Sequence, residues 1–138
     1  MISRTLGLAL AGAAAVAVGL LAAVVTLSGP AAAVAVPGDD AVQQALRAGK
    51  PTVVEFGANN CTACREMKPI LGQVARENGA RVSVVDIDLL KTTGYVSAYK
   101  IQLMPTQVFF DAHGRETSRH MGKISAEEIL ARLEGGAR

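Results

Sequence analysis

The side chains with the most chemistry in this 138-residue chain are Cys61 and Cys64, its two cysteines, separated only by Thr62 and Ala63. A bridge across so short a loop removes little chain entropy, so it makes a poor staple. Its use lies in being made and broken by thiol–disulfide exchange. If the pair opens a helix, free backbone N–H groups and the helix dipole favour the thiolate of Cys61. Cys64 then lies one turn further in on the same face, placed to attack a mixed disulfide formed by Cys61. Other chemistries fit less well. Zinc needs about four ligands, and no second Cys-x-x-Cys accompanies the pair; His113 and His120 lie far along the chain. Haem attachment needs a histidine directly after the second cysteine, where Arg65 stands. No metal and no cofactor is expected.

The elements that must position this pair are legible in the pattern. Asp39 can cap a helix over Asp40 to Ala48, which Gly49 ends. Pro51 to Phe56 is a short β-branched apolar run, a buried strand, and Gly57 to Asn60 is a turn. The helix that follows should begin at about Cys61 and run to Asn78, with Pro69 as a kink. Arg81 to Ile87 is a second strand, and Thr92 to Lys100 a short helix. Thr106 to Phe110 and Glu116 to His120 flank Asp111-Ala112-His113-Gly114 and read as a hairpin. Ser125 with Glu128 forms a capping box for a last helix carrying Ile129, Leu130 and Leu133. Two strands joined through a helix imply parallel pairing and a right-handed crossover. The fold class is α/β: a mixed four-stranded sheet with helices on both faces, spanning Val36 to Arg138.

Before that domain, Leu6 to Leu27 is a run of 22 residues without a charge. Its length suits an uncleaved anchor, whereas Ser28-Gly29-Pro30 and the small residues from Ala31 to Ala35 suit a cleaved signal peptide. Residues 1–35 are thus a signal peptide or a membrane anchor. Either puts the domain outside the cytoplasm, and Arg4 favours an N-in orientation. The net charge of +2 is spread over both signs, with no basic stripe interleaved with aromatics, so nucleic acid is excluded as a partner. Tyr95, Tyr99, Phe109 and Phe110 fit core positions better than a ligand pocket. Arg65 and Lys68 read as solvated charges on a helix face.

The chain resembles the thioredoxin family over nearly all of Val36 to Arg138. The resemblance rests on Val53-Val54-Glu55-Phe56-Gly57-Ala58, on Cys61 through Leu71 with Pro69 five residues after the second cysteine, on Tyr99 through Thr106, and on Gly122. It implies a thioredoxin-like fold with a cis Met104–Pro105 bond beside the cysteines, where Met104, Pro105 and Thr106 meet an extended substrate segment by strand addition. It also implies that Glu55, six residues before Cys61, takes the place of a buried aspartate that moves protons for Cys64. A carboxylate meeting solvent at an edge is the alternative. The chain departs from the family in having Asn60 for the usual tryptophan and Thr62-Ala63 for the usual Gly-Pro. The lysine often paired with the buried acid is replaced, on this alignment, by Val84.

The function expected is thiol–disulfide exchange on exported proteins through Cys61 and Cys64 in a monomeric enzyme, with protein dithiols and disulfides as substrates and the reducing direction favoured. The wording of the C-terminal half is similar to small bacterial exported thioredoxins. Those act with membrane thiol carriers, including in cytochrome c maturation, so a transmembrane electron carrier is an implied partner. The rival reading is a redox-sensitive binding or assembly module that keeps the fold without turnover.

Overall fold

The computed structural model describes residues 41–136. The N-terminal signal or anchor segment and the Asp39 cap lie outside the described residues. In chain order the elements are α1 (Ala41–Arg47), β1 (Thr52–Gly57), α2 (Thr62–Asn78), β2 (Ser83–Asp88), α3 (Gly94–Ala98), β3 (Thr106–Phe110), β4 (Glu116–Met121) and α4 (Ala126–Gly135). This is the order read from the sequence, with boundaries moved by up to two residues at most strand and helix ends.

The four strands lie in the order β2-β1-β3-β4. β1 and β2 pair in parallel, with Glu55 opposite Asp86. β1 and β3 pair antiparallel, with Glu55 opposite Gln107. β3 and β4 close the sheet as the expected hairpin, with Gln107 opposite His120. Strands β1 and β3 are central and buried along their whole length, as continuous apolar runs covered on both faces should be.

Alternation along β1 divides the core into two layers. Val53 and Phe109 point to one face, where Met67, Leu71 and Val74 of α2 and Ile129 and Leu133 of α4 cover them. Val54, Phe56, Val108 and Phe110 point to the other, against Val42 of α1, Ile87, and Tyr95 from α3. Tyr99 completes that layer, its ring 4.8 Å from Phe56 and 5.6 Å from Tyr95. Tyr95, Phe109 and Phe110 are therefore core, as read, and Tyr99 packs against it partly buried.

Two local readings are refined. The last helix takes only one arm of the capping box: Ser125 Oγ accepts from the Glu128 N–H at 3.2 Å. The Glu128 carboxylate turns instead to Arg132 at 3.0 Å. α2 ends at Gly79, where the need for glycine is steric. A Cβ there would lie 2.6 Å from the Ala75 carbonyl oxygen.

Candidate active site

Cys61 and Cys64 are joined in a disulfide, their Cα atoms 5.3 Å apart. The turn after β1 sets up their position. The Cys61 N–H donates to the Ala58 carbonyl at 3.1 Å, and Cys61 takes extended backbone angles as the N-cap of α2. The helix thus starts at Thr62, with Cys61 as its cap. Its Sγ accepts from the Cys64 N–H at 3.3 Å, the polarisation that a helix start offers to a sulfur anion. The two sulfurs sit in different surroundings. Cys61 is half-buried at the surface, and Cys64 is 2% exposed.

Cys61 forms one wall of a groove of about 510 Å³ whose other walls include Leu89, Leu90, Val96, Leu103 and Met104. Leu90 and Leu103 are more than half exposed. Met104–Pro105 is a cis peptide bond, with Met104 at the surface and Pro105 buried beneath it. The segment is pinned on both sides. Thr106 Oγ1 donates to the Leu103 carbonyl at 2.6 Å, and the Gly122 N–H donates to the Pro105 carbonyl at 2.8 Å. Gly122 is at φ +99°, a conformation open mainly to glycine. Met104 and Cys61 therefore face the same groove.

Beneath the disulfide lies Glu55, 1% exposed and in a central strand rather than at an edge. Its Oε2 accepts from Gln107 Nε2 at 3.1 Å, and its Oε1 has no hydrogen-bond partner. Gly57 marks how close this carboxyl comes to the sulfur. A Cβ built on Gly57 would lie 3.2 Å from Cys64 Sγ and 3.5 Å from Glu55 Oε1, so both atoms border one small space. Burial raises the Glu55 carboxyl to about 7; the Gln107 hydrogen bond and the Lys68 charge oppose that rise, and Asp86 adds to it.

The residue facing Glu55 on β2 is Asp86, whereas Val84 lies opposite Val53. Directly opposite Glu55 there is thus a negative charge, and Val84, two residues before it on the same face, is partly buried against the core. The cation comes from α2 instead, because Lys68 Nζ pairs with Asp86 Oδ2 at 2.5 Å. Lys68 stays exposed on the helix face, as read, but is paired there with Asp86. Asp86 holds its ammonium above the ordinary value, chiefly through their hydrogen bond. Arg65 stays exposed, donating to the Asn59 carbonyl at 3.3 Å and to Thr62 Oγ1 at 3.2 Å.

Of the residues singled out from the sequence, Cys61, Cys64 and Glu55 are brought together at one end of the sheet, and Met104 joins Cys61 across the groove. Pro105 and Thr106 support that wall from below. His113 and His120 lie on the hairpin, and His120 Nε2 is 3.1 Å from the Lys123 carbonyl oxygen. Gln107 and Asp86 escaped the sequence reading. A strict register of β1 against both neighbours would have exposed them, since both stand opposite Glu55.

The fold and the site define an α/β dithiol–disulfide protein, with the cysteine pair capping a helix above a buried acid. The family model for thioredoxin matches residues 33–135, and the chain belongs to the thioredoxin family. Thioredoxin Y, chloroplastic, of Oryza sativa subsp. japonica is 34% identical over 85 residues, 62% of this chain and 50% of that protein. A thioredoxin-like protein of Synechocystis sp. is 35% identical over 85 residues, 62% of this chain and 80% of its own length. The chain spans about half the length of the chloroplast thioredoxin Y relatives that it matches. A solved structure described as that of a malarial protein superposes with a TM-score of 0.59 at 18% identity, covering 64% of this chain and 99% of the other. At that identity the likeness speaks for the fold alone.

Proposed function

We propose that this chain is a thiol–disulfide oxidoreductase acting on protein substrates, with Cys61 as the attacking sulfur and Cys64 as the resolving one. The observation that carries the reading is the asymmetry of the pair. One sulfur faces an apolar groove, and the other is buried beside a carboxyl of raised proton affinity.

In the reducing direction the Cys61 thiolate attacks a substrate disulfide. A Cys61–substrate disulfide forms, and the first substrate sulfur leaves as thiolate. Glu55 then accepts the Cys64 proton, and the Cys64 thiolate attacks Cys61 Sγ. The Cys61–Cys64 disulfide forms, the second substrate sulfur leaves, and two electrons have passed to the substrate. The proton on Glu55 returns to solvent or to the departing thiolate. Met104, with Pro105 and Thr106 behind it, offers backbone to an extended substrate segment across the groove. The names of the relatives, thioredoxins and thioredoxin-like proteins, support this chemistry.

The domain, from about Val36, acts on the extracytoplasmic side, exported by residues 1–35 as signal peptide or anchor. Its electrons then come from a membrane thiol carrier, and cytochrome c maturation is one such setting. The uncharged stretch from Leu6 to Leu27 supports this placement.

The test is Cys64→Ser in the native host. Mixed disulfides should accumulate through Cys61, disappear with dithiothreitol, and be absent from Cys61→Ser. Failure of the purified domain to speed insulin reduction by dithiothreitol, with no trapped adducts, would refute the enzyme in favour of a passive redox module.

A further inference from the structure

Cross-strand pairing aligns four polar side chains edge to edge on the α2 face of the sheet: Asp86, Glu55, Gln107 and His120. Gln107 is the anomaly in this row. It is 0% exposed in the middle of an apolar strand. An amide placed there forfeits hydration that a leucine of similar volume would not have had. Its recovery is incomplete, because Nε2 donates to Glu55 Oε2 while its own Oε1 has no partner. A residue that weakens its surroundings this way is accounted for by what its one bond does.

That bond is selective. It takes up Oε2 and leaves Oε1 as the bare oxygen of Glu55, the one that borders the space next to Cys64 Sγ. We propose that Gln107 is a positioning residue of the exchange site, holding Glu55 by one oxygen so that the carboxylate form is favoured beside the resolving sulfur and its other oxygen is free to take the proton. This rests on the reading of Glu55 as proton acceptor for Cys64. Gln107 acts through its bond to Glu55.

The charged and titratable groups around Glu55 are few. β2 contributes Asp86 opposite Glu55 and Asp88 opposite Gly57, the latter engaged by Asn59, and α2 contributes Lys68, paired with Asp86, and Cys64 itself. From β4, His120 lies beyond Gln107 and is engaged by the Lys123 carbonyl. From α4, Arg132 pairs with Glu128 and lies 5.7 Å over the Phe109 ring. Gln107 is the neutral donor in the set, so its removal changes the hydrogen bonding of Glu55 without changing the charge around it. A hydrogen bond from an amide favours the ionised carboxylate.

The experiment follows the reduced protein with Ellman's reagent in stopped flow. Attack by Cys61 releases one thionitrobenzoate, and resolution by Cys64 releases the second in a separate phase. In wild type the second phase should rise with a midpoint near 7. In Gln107→Leu the midpoint should move up by about one pH unit, the scale of a hydrogen bond to a charged group. At pH 7 the resolving phase then slows about fivefold, because the ionised fraction falls from about a half to about a tenth. At pH 9 it recovers to the wild-type rate, and the first phase is unchanged throughout.

That recovery separates the effect of the Gln107 bond on the ionisation of Glu55 from structural damage, which would slow resolution at every pH. Gln107→Met is the second variant should leucine fold poorly. A midpoint unmoved in both, or a loss independent of pH, overturns the proposal. Glu55→Gln separates the two levels. It should flatten the profile of the resolving phase. If its profile instead matches wild type, the role of Glu55 fails and this inference with it, whereas a flattened Glu55→Gln beside an unmoved Gln107→Leu sinks this inference alone.

Discussion

Replacing Glu55 by glutamine should make the oxidised protein more stable in mild alkali, by an amount that its burial lets us work out. The carboxyl is raised from the ordinary 4.5 to about 7, first of all by burial. Below pH 4.5 it is protonated in both folded and unfolded chains, and the folded state has no charge to bury. Between 4.5 and 7 the unfolded chain releases the proton while the folded one keeps it, so stability falls as pH rises. Above 7 both are ionised and the loss is complete. At about 1.4 kcal/mol per pH unit this amounts to about 3 kcal/mol. Glutamine has nearly the same shape, can still accept from Gln107, and never ionises. The assay is urea unfolding of the disulfide form of both proteins at pH 5 and pH 8. The variant should match wild type within about 1 kcal/mol at pH 5 and exceed it by about 3 kcal/mol at pH 8. In thermal melts at pH 8 that is roughly 10–25 °C for a domain of this size. Glu66 and Asp111, whose carboxyls are held low by Lys123 and by Arg115 respectively, contribute the opposite slope in acid. They cancel in the comparison. Equal stabilities of the two proteins at pH 8 would refute the claim that a buried carboxylate sits under the disulfide.

Other perturbations test the rest of the site. Gly57→Ala places a methyl 3.1 Å from Cys64 Cβ and 3.2 Å from its Sγ; it should cost about 1–3 kcal/mol and slow the resolving step, and an unchanged rate would show that this packing has no bearing on exchange. Leu103→Asp, in the groove wall and 53% exposed, should raise the KM for a protein disulfide severalfold while leaving reaction with a small aromatic disulfide near wild type. Phe109→Ala, fully buried between α2 and α4, should cost about 3–5 kcal/mol in urea unfolding. Lys68→Ala breaks an ion pair whose side chains are 43% and 37% exposed, so global stability should change by under about 1 kcal/mol. The resolving step should move to higher pH as Glu55 loses a favourable charge, and a shift to lower pH would contradict the geometry.

Much of this was legible in the chain itself because the signals are local. Thr52 to Phe56 is an unbroken apolar and β-branched stretch apart from Glu55, so it must be buried on both faces. Cys61 and Cys64 sit between a turn and a helical period, so their places at the helix start follow from spacing. Asp111 to Gly114 between two extended runs makes a hairpin. Each of these depends on neighbours within one turn or one strand, and short-range sterics and burial decide them.

What the chain could not reveal is which distant residue stands beside which. Glu55 has the same spelling in a buried central strand as at an exposed edge. Only the order β2-β1-β3-β4 puts it at the centre. The residue opposite it on β2 depends on a register that a short, β-branched strand leaves open by itself, so nothing in the chain singled out Asp86. Gln107 looks like a polar interruption in Thr106 to Phe110 until the sheet closes and aims its amide at Glu55. Lys68 looks like a solvated charge until β2 brings Asp86 under it. The cysteine chemistry is written in consecutive residues, but its proton affinity is set by side chains that meet only across strands, because burial and hydrogen bonding act through space and not along the chain.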